Sequence, residues 1–241
     1  MNEGPGKCVA VCNRHRRVSL DLPRRSVCYS SGVLPDTFFQ IDPLECAENL
    51  IGTELVWGRC AGTVVETEAY LVEGDEACHT YKRPSAREFV RRNGPGIAYI
   101  YFNYGVHWML NVLVKGGPRD GLILIRAIEP RRGIELMRKR RGVDDVKRLC
   151  SGPGKLTQAL DITKRHHEMD LCRDPRHAFY PRPNANLEIV ADPRIGISLS
   201  TEFPWRFTLR GSEFVSVPVR ITRSSGDCRL RSSSERKRPG R

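Results

Sequence analysis

The chain predicts an α+β fold: a single mixed domain with a curved, largely antiparallel sheet, a protruding β-hairpin and packed helices. Three observations carry that expectation. Apolar runs of strand length recur along the chain, several with period-two alternation. Helical segments fall irregularly between them, with no steady βαβ alternation. No stretch between residues 34 and 222 reads as a linker or repeat, and 241 residues supply one sizeable core. The expected organisation is a basic disordered extension over 1–33, a globular domain over 34–222 and a basic disordered tail over 223–241.

The elements follow in order. Asp42 caps a helix that has Pro43 in its first turn and ends at Gly52. Strands are expected at 54–57 and 62–70, and residues 84–92 read as loop or short helix. Ile97–Phe102 and Val106–Val114 form a hairpin around Asn103-Tyr104-Gly105. With a three-residue loop, Gly105 supplies the left-handed position, Tyr101 faces His107 and Ile97 faces Asn111. Tyr99, Tyr101, His107, Met109 and Asn111 then share a face; a two-residue loop would flip it. Leu122–Ile125 reads as a buried strand ending at Arg126, and 130–141 as a helix with Pro130 in its first turn. Ser151–Leu160 is a Gly-rich turn into a helix. Strands near 187–190, 195–199, 205–210 and 214–219 close the domain. His166 and His167 sit in a charged run that reads as a solvated helix face.

The net charge is +12, of which +4 lies in residues 1–33 and +5 in 223–241, leaving +3 for the middle. Basic ends of this kind tether a protein to polyanions through counterion release, or simply keep it soluble. No run reaches the roughly 18 apolar residues of a membrane span, and the N-terminus lacks the apolar core of a secretory signal. The nine cysteines are an odd number without a CxxC pair, which speaks for reduced thiols rather than a zinc ribbon. Several enzyme motifs are absent: HxE with PCxxC, HExxH and GxSxG. Gly152-Pro153-Gly154-Lys155 fails the P-loop spacing, yet free N–H groups there could hold a phosphate; an ordinary helix entry is the other reading.

The chemistry points to Val64–Tyr70. On a strand, Glu66, Glu68 and Tyr70 share one face, opposite Val65 and Ala69. Two carboxylates beside an aromatic ring suit activation of water next to a flat substrate. Spacing alone does not assemble Glu68, Tyr70, His79, Tyr101, Asn111 and Arg126 into one pocket; the aromatic residues could equally be core. Tyr104 stands at the hairpin tip, where it either folds back onto the domain or serves as a wedge into a base stack.

Val65-Glu66-Thr67-Glu68-Ala69-Tyr70, with Asp75-Glu76-Ala77 and His79, resembles the signature of the alkyladenine (3-methyladenine) DNA glycosylase family of animals and bacteria. So do Ala98–Tyr101 with Tyr104-Gly105 and Asn111, Leu124–Pro130, Ser151–Leu156, Pro193–Ile197 and Pro204–Phe207. These matches run in order from about Leu34 to Val217. The resemblance implies a monofunctional glycosylase that flips alkylated or deaminated purines (3-methyladenine, 7-methylguanine, hypoxanthine) out of duplex DNA and hydrolyses their N-glycosidic bond. It implies Glu68 as general base, Arg126 as its aid in holding water, and Tyr70, His79 and Tyr101 as walls for the base. Asn111 would exclude guanine, and Tyr104 would intercalate. Gly152, Gly154 and Lys155 are candidate phosphate contacts. No metal and no cofactor are implied, no membrane is involved, and a monomer suits a protein that scans DNA. The expected location is the bacterial cytoplasm at the nucleoid, or the nucleus in a eukaryote. The chain departs from the family's bacterial TPRN-x-x-MF pattern over Ser85–Arg92, with Glu88 at an Asn-like position and Arg91-Arg92 in place of an apolar pair, and it carries Asn103 in the hairpin. Two rival readings remain: a lesion-binding nucleic-acid protein with lost or altered catalysis, and a hydrolase of free nucleosides, which needs no wedge.

Overall fold

The computed structural model describes residues 32–103, 105–183 and 186–218. Tyr104, the tail over 223–241 and nearly all of the N-terminal extension lie outside the described residues. The elements in chain order are α1 (Pro43–Leu50), β1 (Glu54–Trp57), β2 (Cys60–Leu71), α2 (His79–Lys82), α3 (Pro84–Arg92), β3 (Ala98–Asn103), β4 (His107–Val114), β5 (Gly121–Arg132), α4 (Ile134–Arg141), α5 (Pro153–Leu160), β6 (His177–Tyr180), β7 (Ile189–Asp192) and β8 (Arg206–Leu209). The eight strands make one sheet in which every pairing is antiparallel. Mixed with five α-helices, this is the α+β class that the patterning predicts.

β2 is the spine of the sheet. Its first residues pair with β1, its whole length with β5, and Glu66–Glu68 with β8 once β1 has ended. Three register shifts interrupt the β2–β5 ladder, one between Ala61 and Gly62 and two on either side of Glu66. Val64 pairs with Ile128, Glu66 with Ala127 and Thr67 with Ile125. Val65 is thus the extra residue on β2, and Arg126 the extra residue on β5. Val64 to Thr67 and Ile128 to Ile125 each span three steps, so the two bulges cancel and the register resumes beyond them. Bulges re-aim side chains, and this pair turns Arg126 toward the carboxylates of β2.

The core lies on both sides of this spine. Val64, Val65, Ile123, Ile125 and Ile128 are fully buried, together with Ala47 and Leu50 of α1. Asp42 caps α1 as expected, its Oδ1 accepting the Leu44 N–H at 2.9 Å. No helix among the described residues is long and apolar enough to cross a membrane.

Several expectations need correction. β5 does not end at Arg126 but runs to Arg132, so Pro130 lies in a strand opposite Gly62. Its missing N–H costs nothing there, because β4 pairs with β5 only as far as Leu124. The helix begins later, at Ile134, after Gly133 turns the chain with φ +76°. Residues 195–199 and 214–218 form no strand; their backbone is used elsewhere, as described below. β6 was not foreseen. Residues 84–92 are a helix, α3, with Phe89 and Val90 inside. The hairpin loop has three residues but sits one position later, so that Tyr101 faces Met109 and Tyr99 faces Asn111. This moves the pairing by two and preserves the predicted face. His166 and His167 are not a solvated helix face. His166 closes a short 3-10 turn and packs edge-on against Trp57. His167 accepts the Ile100 N–H on Nδ1 and stacks on Phe89.

Candidate active site

The site begins on β2. Glu66 and Glu68 carry no exposed surface, and both face Arg126. Arg126 donates from Nε to Glu66 Oε1 at 2.9 Å and from Nη1 to Glu68 Oε2 at 3.1 Å. One guanidinium therefore bridges two carboxylates, which the bulge that carries it makes possible.

The two carboxylates are otherwise held differently. Glu66 Oε1 also accepts from Arg206 Nε at 2.7 Å and from Ser216 Oγ at 2.8 Å, and Oε2 accepts the Ser216 N–H. Burial opposes its ionisation, but the two guanidinium groups and the Ser216 N–H outweigh burial and hold it below the usual carboxylate range. Glu68 Oε1 accepts the Ile195 N–H at 2.7 Å, and Oε2 accepts the Tyr70 hydroxyl at 2.8 Å. Here burial prevails: with the charge of Glu66 adding to it, it raises the Glu68 carboxyl against Arg126, Ile195 and Tyr70.

A cavity of about 560 Å³ opens beside Glu68. Tyr70, Arg126 and Ile195, the three groups that hold Glu68, all line it, and so do His79, Tyr99, Tyr101, Met109, Asn111 and residues 196–199. Five of the residues picked out from the sequence (Tyr70, His79, Tyr101, Asn111 and Arg126) thus meet in one cavity, with Glu68 behind its wall. The rings serve as both wall and core: Tyr99 belongs to a buried apolar cluster on which Tyr70 and Tyr101 pack, and all three line the cavity. The His79 and Tyr101 centroids are 4.2 Å apart at 65°, and His79 Nδ1 is 3.2 Å from the Tyr99 hydroxyl. Burial, then the nearby Arg83, lowers the His79 pKa to about 4, so its imidazole is neutral at neutral pH. Burial pushes the Tyr101 hydroxyl up to about 12. Asn111 donates from Nδ2 to the Tyr99 carbonyl at 3.2 Å, directly across the β3–β4 pairing.

Local folding explains these positions. Asp75 accepts the Leu71 and Ala77 N–H groups, closing the turn that leads from β2 to α2 and so places His79 over the pocket. α5 braces the hairpin from outside: Thr157 Oγ1 donates to the Trp108 carbonyl at 2.7 Å, and a Cβ on Gly154 would lie 2.6 Å from the His107 ring. Gly154 is thus buried against the hairpin, whereas Lys155 is exposed and Gly152 starts the helix with φ +145°. The departures in α3 stay outside the pocket. Glu88 pairs with Arg91, and Arg92 with Glu168, all on the outer side.

Sequence reasoning missed Arg206, Ser216 and Ile195, which hold the carboxylates, and Arg194 and Asp75 beside them. Pro193–Ile197 and Pro204–Phe207 stood out as motifs, but nothing in their spacing ties them to β2. No group of three His, Cys, Asp or Glu among the described residues could hold a metal ion, and the five described cysteines are free thiols.

Residues 37–213 match the methylpurine-DNA glycosylase (MPG) family. The chain belongs to that family. It is 46% identical over 185 residues to a protein of Rhodopseudomonas palustris strain BisB18 named "Putative 3-methyladenine DNA glycosylase", covering 77% of this chain and 91% of that one. Proteins of the same name are 42% identical over 185 residues in Bradyrhizobium diazoefficiens and 41% identical over 186 residues in Nitrosospira multiformis. Both alignments cover 77% of this chain, with 91% and 95% of those proteins respectively. The enzyme is accordingly a DNA N-glycosylase, a hydrolase of DNA repair.

Proposed function

We propose that this glycosylase removes alkylated and deaminated purines, among them 3-methyladenine, 7-methylguanine and hypoxanthine, from duplex DNA, with Glu68 as general base. The observation that carries the reading is the divergence of the two carboxylates. Environments that push neighbouring acids apart assign their roles. Glu66, held ionised by two guanidinium groups, anchors Arg126. Glu68, its carboxyl raised by burial and set against an aromatic cavity, takes a proton.

A base stacked in a duplex hides its glycosidic bond, so the nucleotide must turn out into the cavity, at a cost of a few kcal/mol. Tyr104, at the hairpin tip, fills the gap in the stack. Each base–aromatic contact contributes roughly 1–3 kcal/mol, and alkylated purines, being cationic, gain further from the faces of Tyr70 and Tyr101. Asn111 disfavours guanine through a clash with its 2-amino group. A water on the sugar side gives its proton to Glu68 as its oxygen bonds C1′. The glycosidic electron pair leaves with the base. Among the described residues, Glu68 Oε1 takes one N–H donor, and a carboxylate oxygen has room for two. Arg126 holds Glu68 and steadies the same water. The rest of the chemistry needs neither metal nor amine nucleophile, so no strand cleavage follows. Gly152 and Lys155 remain candidate phosphate contacts, while Gly154 serves the hairpin. One chain supplies every group, so a monomer suffices, and the enzyme works wherever the cell keeps its DNA.

The test is single-turnover release from a duplex carrying one hypoxanthine, then from methylated DNA, with wild type and Glu68→Gln. Release by wild type and none by the variant is expected. Tight binding without release on both substrates would instead favour a lesion-binding protein. Equal release by both proteins would move the base to Glu66.

A further inference from the structure

Behind the Tyr70 wall lies a second buried ion pair that the reaction described above does not use. Arg194 has no exposed side-chain surface, and neither has Asp75. Arg194 Nη1 donates to Asp75 Oδ2 at 2.6 Å and Nη2 to Asp75 Oδ1 at 2.9 Å. The same two nitrogens reach the Ala69 carbonyl at 3.0 Å and the Ser200 carbonyl at 3.2 Å. The guanidinium lies between two rings, 4.6 Å from the Tyr70 centroid and 4.9 Å from that of Trp205. Among the described residues its Nε has no partner, so four acceptors and two ring faces fix it.

This arrangement is more than packing. Desolvating two charges is expensive, and an apolar pair of the same volume is often as stable. What the ion pair secures is position. Ala69 separates Glu68 from Tyr70 on β2, and Ile195 follows Arg194 directly. One guanidinium therefore ties the strand that carries the base to the loop whose N–H bonds Glu68 Oε1. Ser200, on the same clamp, directly follows the run 195–199 that lines the cavity. Only a planar fork reaches four acceptors and two ring faces at once; an ammonium cannot.

Resting on the glycosylase reading, we infer that Arg194, clamped by Asp75, is a positioning residue that holds the Ile195 N–H on Glu68 and the Tyr70 ring against the flipped base. The groups around Glu68 are Glu66 and Tyr70 from β2, Arg126 from β5, Tyr101 from β3 and the Ile195 N–H, with Arg206 of β8 held on Glu66. A loosened clamp changes the Ile195 N–H and the Tyr70 hydroxyl and leaves the others in place. Both groups favour the ionised carboxylate. Losing them raises its affinity for a proton.

The experiment follows single-turnover base release against pH for wild type, Arg194→Lys and Asp75→Asn, below the melting temperature of each. The acidic limb of the profile is expected to move up by about one pH unit in Arg194→Lys. This reads as roughly tenfold slower release below the limb and near-equal release on the plateau. Asp75→Asn, which loosens the clamp from its other end, moves the limb the same way and serves if Arg194→Lys does not fold. A limb that stays in place, whether the rate falls uniformly or not at all, would overturn the inference. Wild type that releases no base would overturn the glycosylase reading instead, so the two failures are distinguishable.

Discussion

Glu66 and Glu68 stand two residues apart on one strand, equally buried, sharing one arginine. Around Glu66 the site is closed and over-supplied with donors: Arg126, Arg206 and both polar groups of Ser216. Glu68 lies just behind the cavity wall that its own partners form, with one guanidinium, one phenol and one backbone N–H. The first setting favours the anion; in the second, burial raises the carboxyl and favours its protonated form. Burial alone thus does not decide what a carboxylate does. The number of positive groups that share the burial does.

The largest expected effect breaks the pair apart by rate. Glu68→Gln should lower single-turnover release by at least about 10²-fold, the low end for loss of a general base. Glu66→Gln should fall less and keep an acidic limb, because Glu68 still titrates while Arg126 is merely less well anchored. A folded Glu66→Gln as inactive as Glu68→Gln would show that the two roles are not divided.

Stability should run the other way. Glu66→Gln leaves two buried guanidinium groups short of a partner, a loss on the order of 3–5 kcal/mol, which lowers Tm by roughly 10 °C in a domain of this size. Glu68→Gln should melt no lower than wild type at neutral pH. Linkage gives the signs. The Glu66 pKa is depressed in the fold, so its contribution is present above the unfolded value and vanishes as pH falls through the folded one. The Glu68 pKa is raised, so its ionisation penalises the fold once pH climbs past the unfolded value. Melting the three proteins from pH 3 to 8 should show the Glu66→Gln deficit closing at the acid end and any Glu68→Gln advantage growing toward the neutral end.

The two halves of the site were not equally legible in the sequence. The cavity half was: alternation along β2 puts Glu66, Glu68 and Tyr70 together, and the hairpin parity puts Tyr99, Tyr101 and Asn111 on one face. That parity survived a register error of two, because the side-chain period is itself two. The groups that hold the two carboxylates were hidden. Arg126 looks like the end of a strand, since its place as the extra residue of a bulge depends on Val65 doing the same 61 positions earlier. Ile195 and Ser216 sit in apolar alternations that imitate strands, yet their N–H groups bind carboxylates instead of a ladder. Such contacts span up to 150 residues of chain, and no local pattern reports them. The resemblance to a known family pointed at the right segments without saying what they hold.

His79 gives a smaller test of the same contrast. With its pKa lowered to about 4 by burial and Arg83, it stays neutral from pH 5 upward. His79→Gln should therefore weaken the wall and slow release while leaving the acidic limb in place. A limb that moved or disappeared would transfer the titration from Glu68 to His79.

The smallest expected effect concerns what supports the cavity half from outside. A methyl group on Gly154 would meet the His107 ring at 2.6 Å, far inside normal contact, so Gly154→Ala must push α5 and His107 of β4 apart. Overpacking of this kind costs about 1–3 kcal/mol, or several degrees of Tm. β4 carries Met109 and Asn111 into the cavity, whereas none of the partners of Glu66 lies on β4 or α5. The strain should therefore reach the pocket walls and not the anchor of Arg126. Release from duplex DNA should slow by a few-fold with its pH profile unmoved. A shifted profile would mean that the hairpin also sets the charge of Glu68, and that the two halves are not separable.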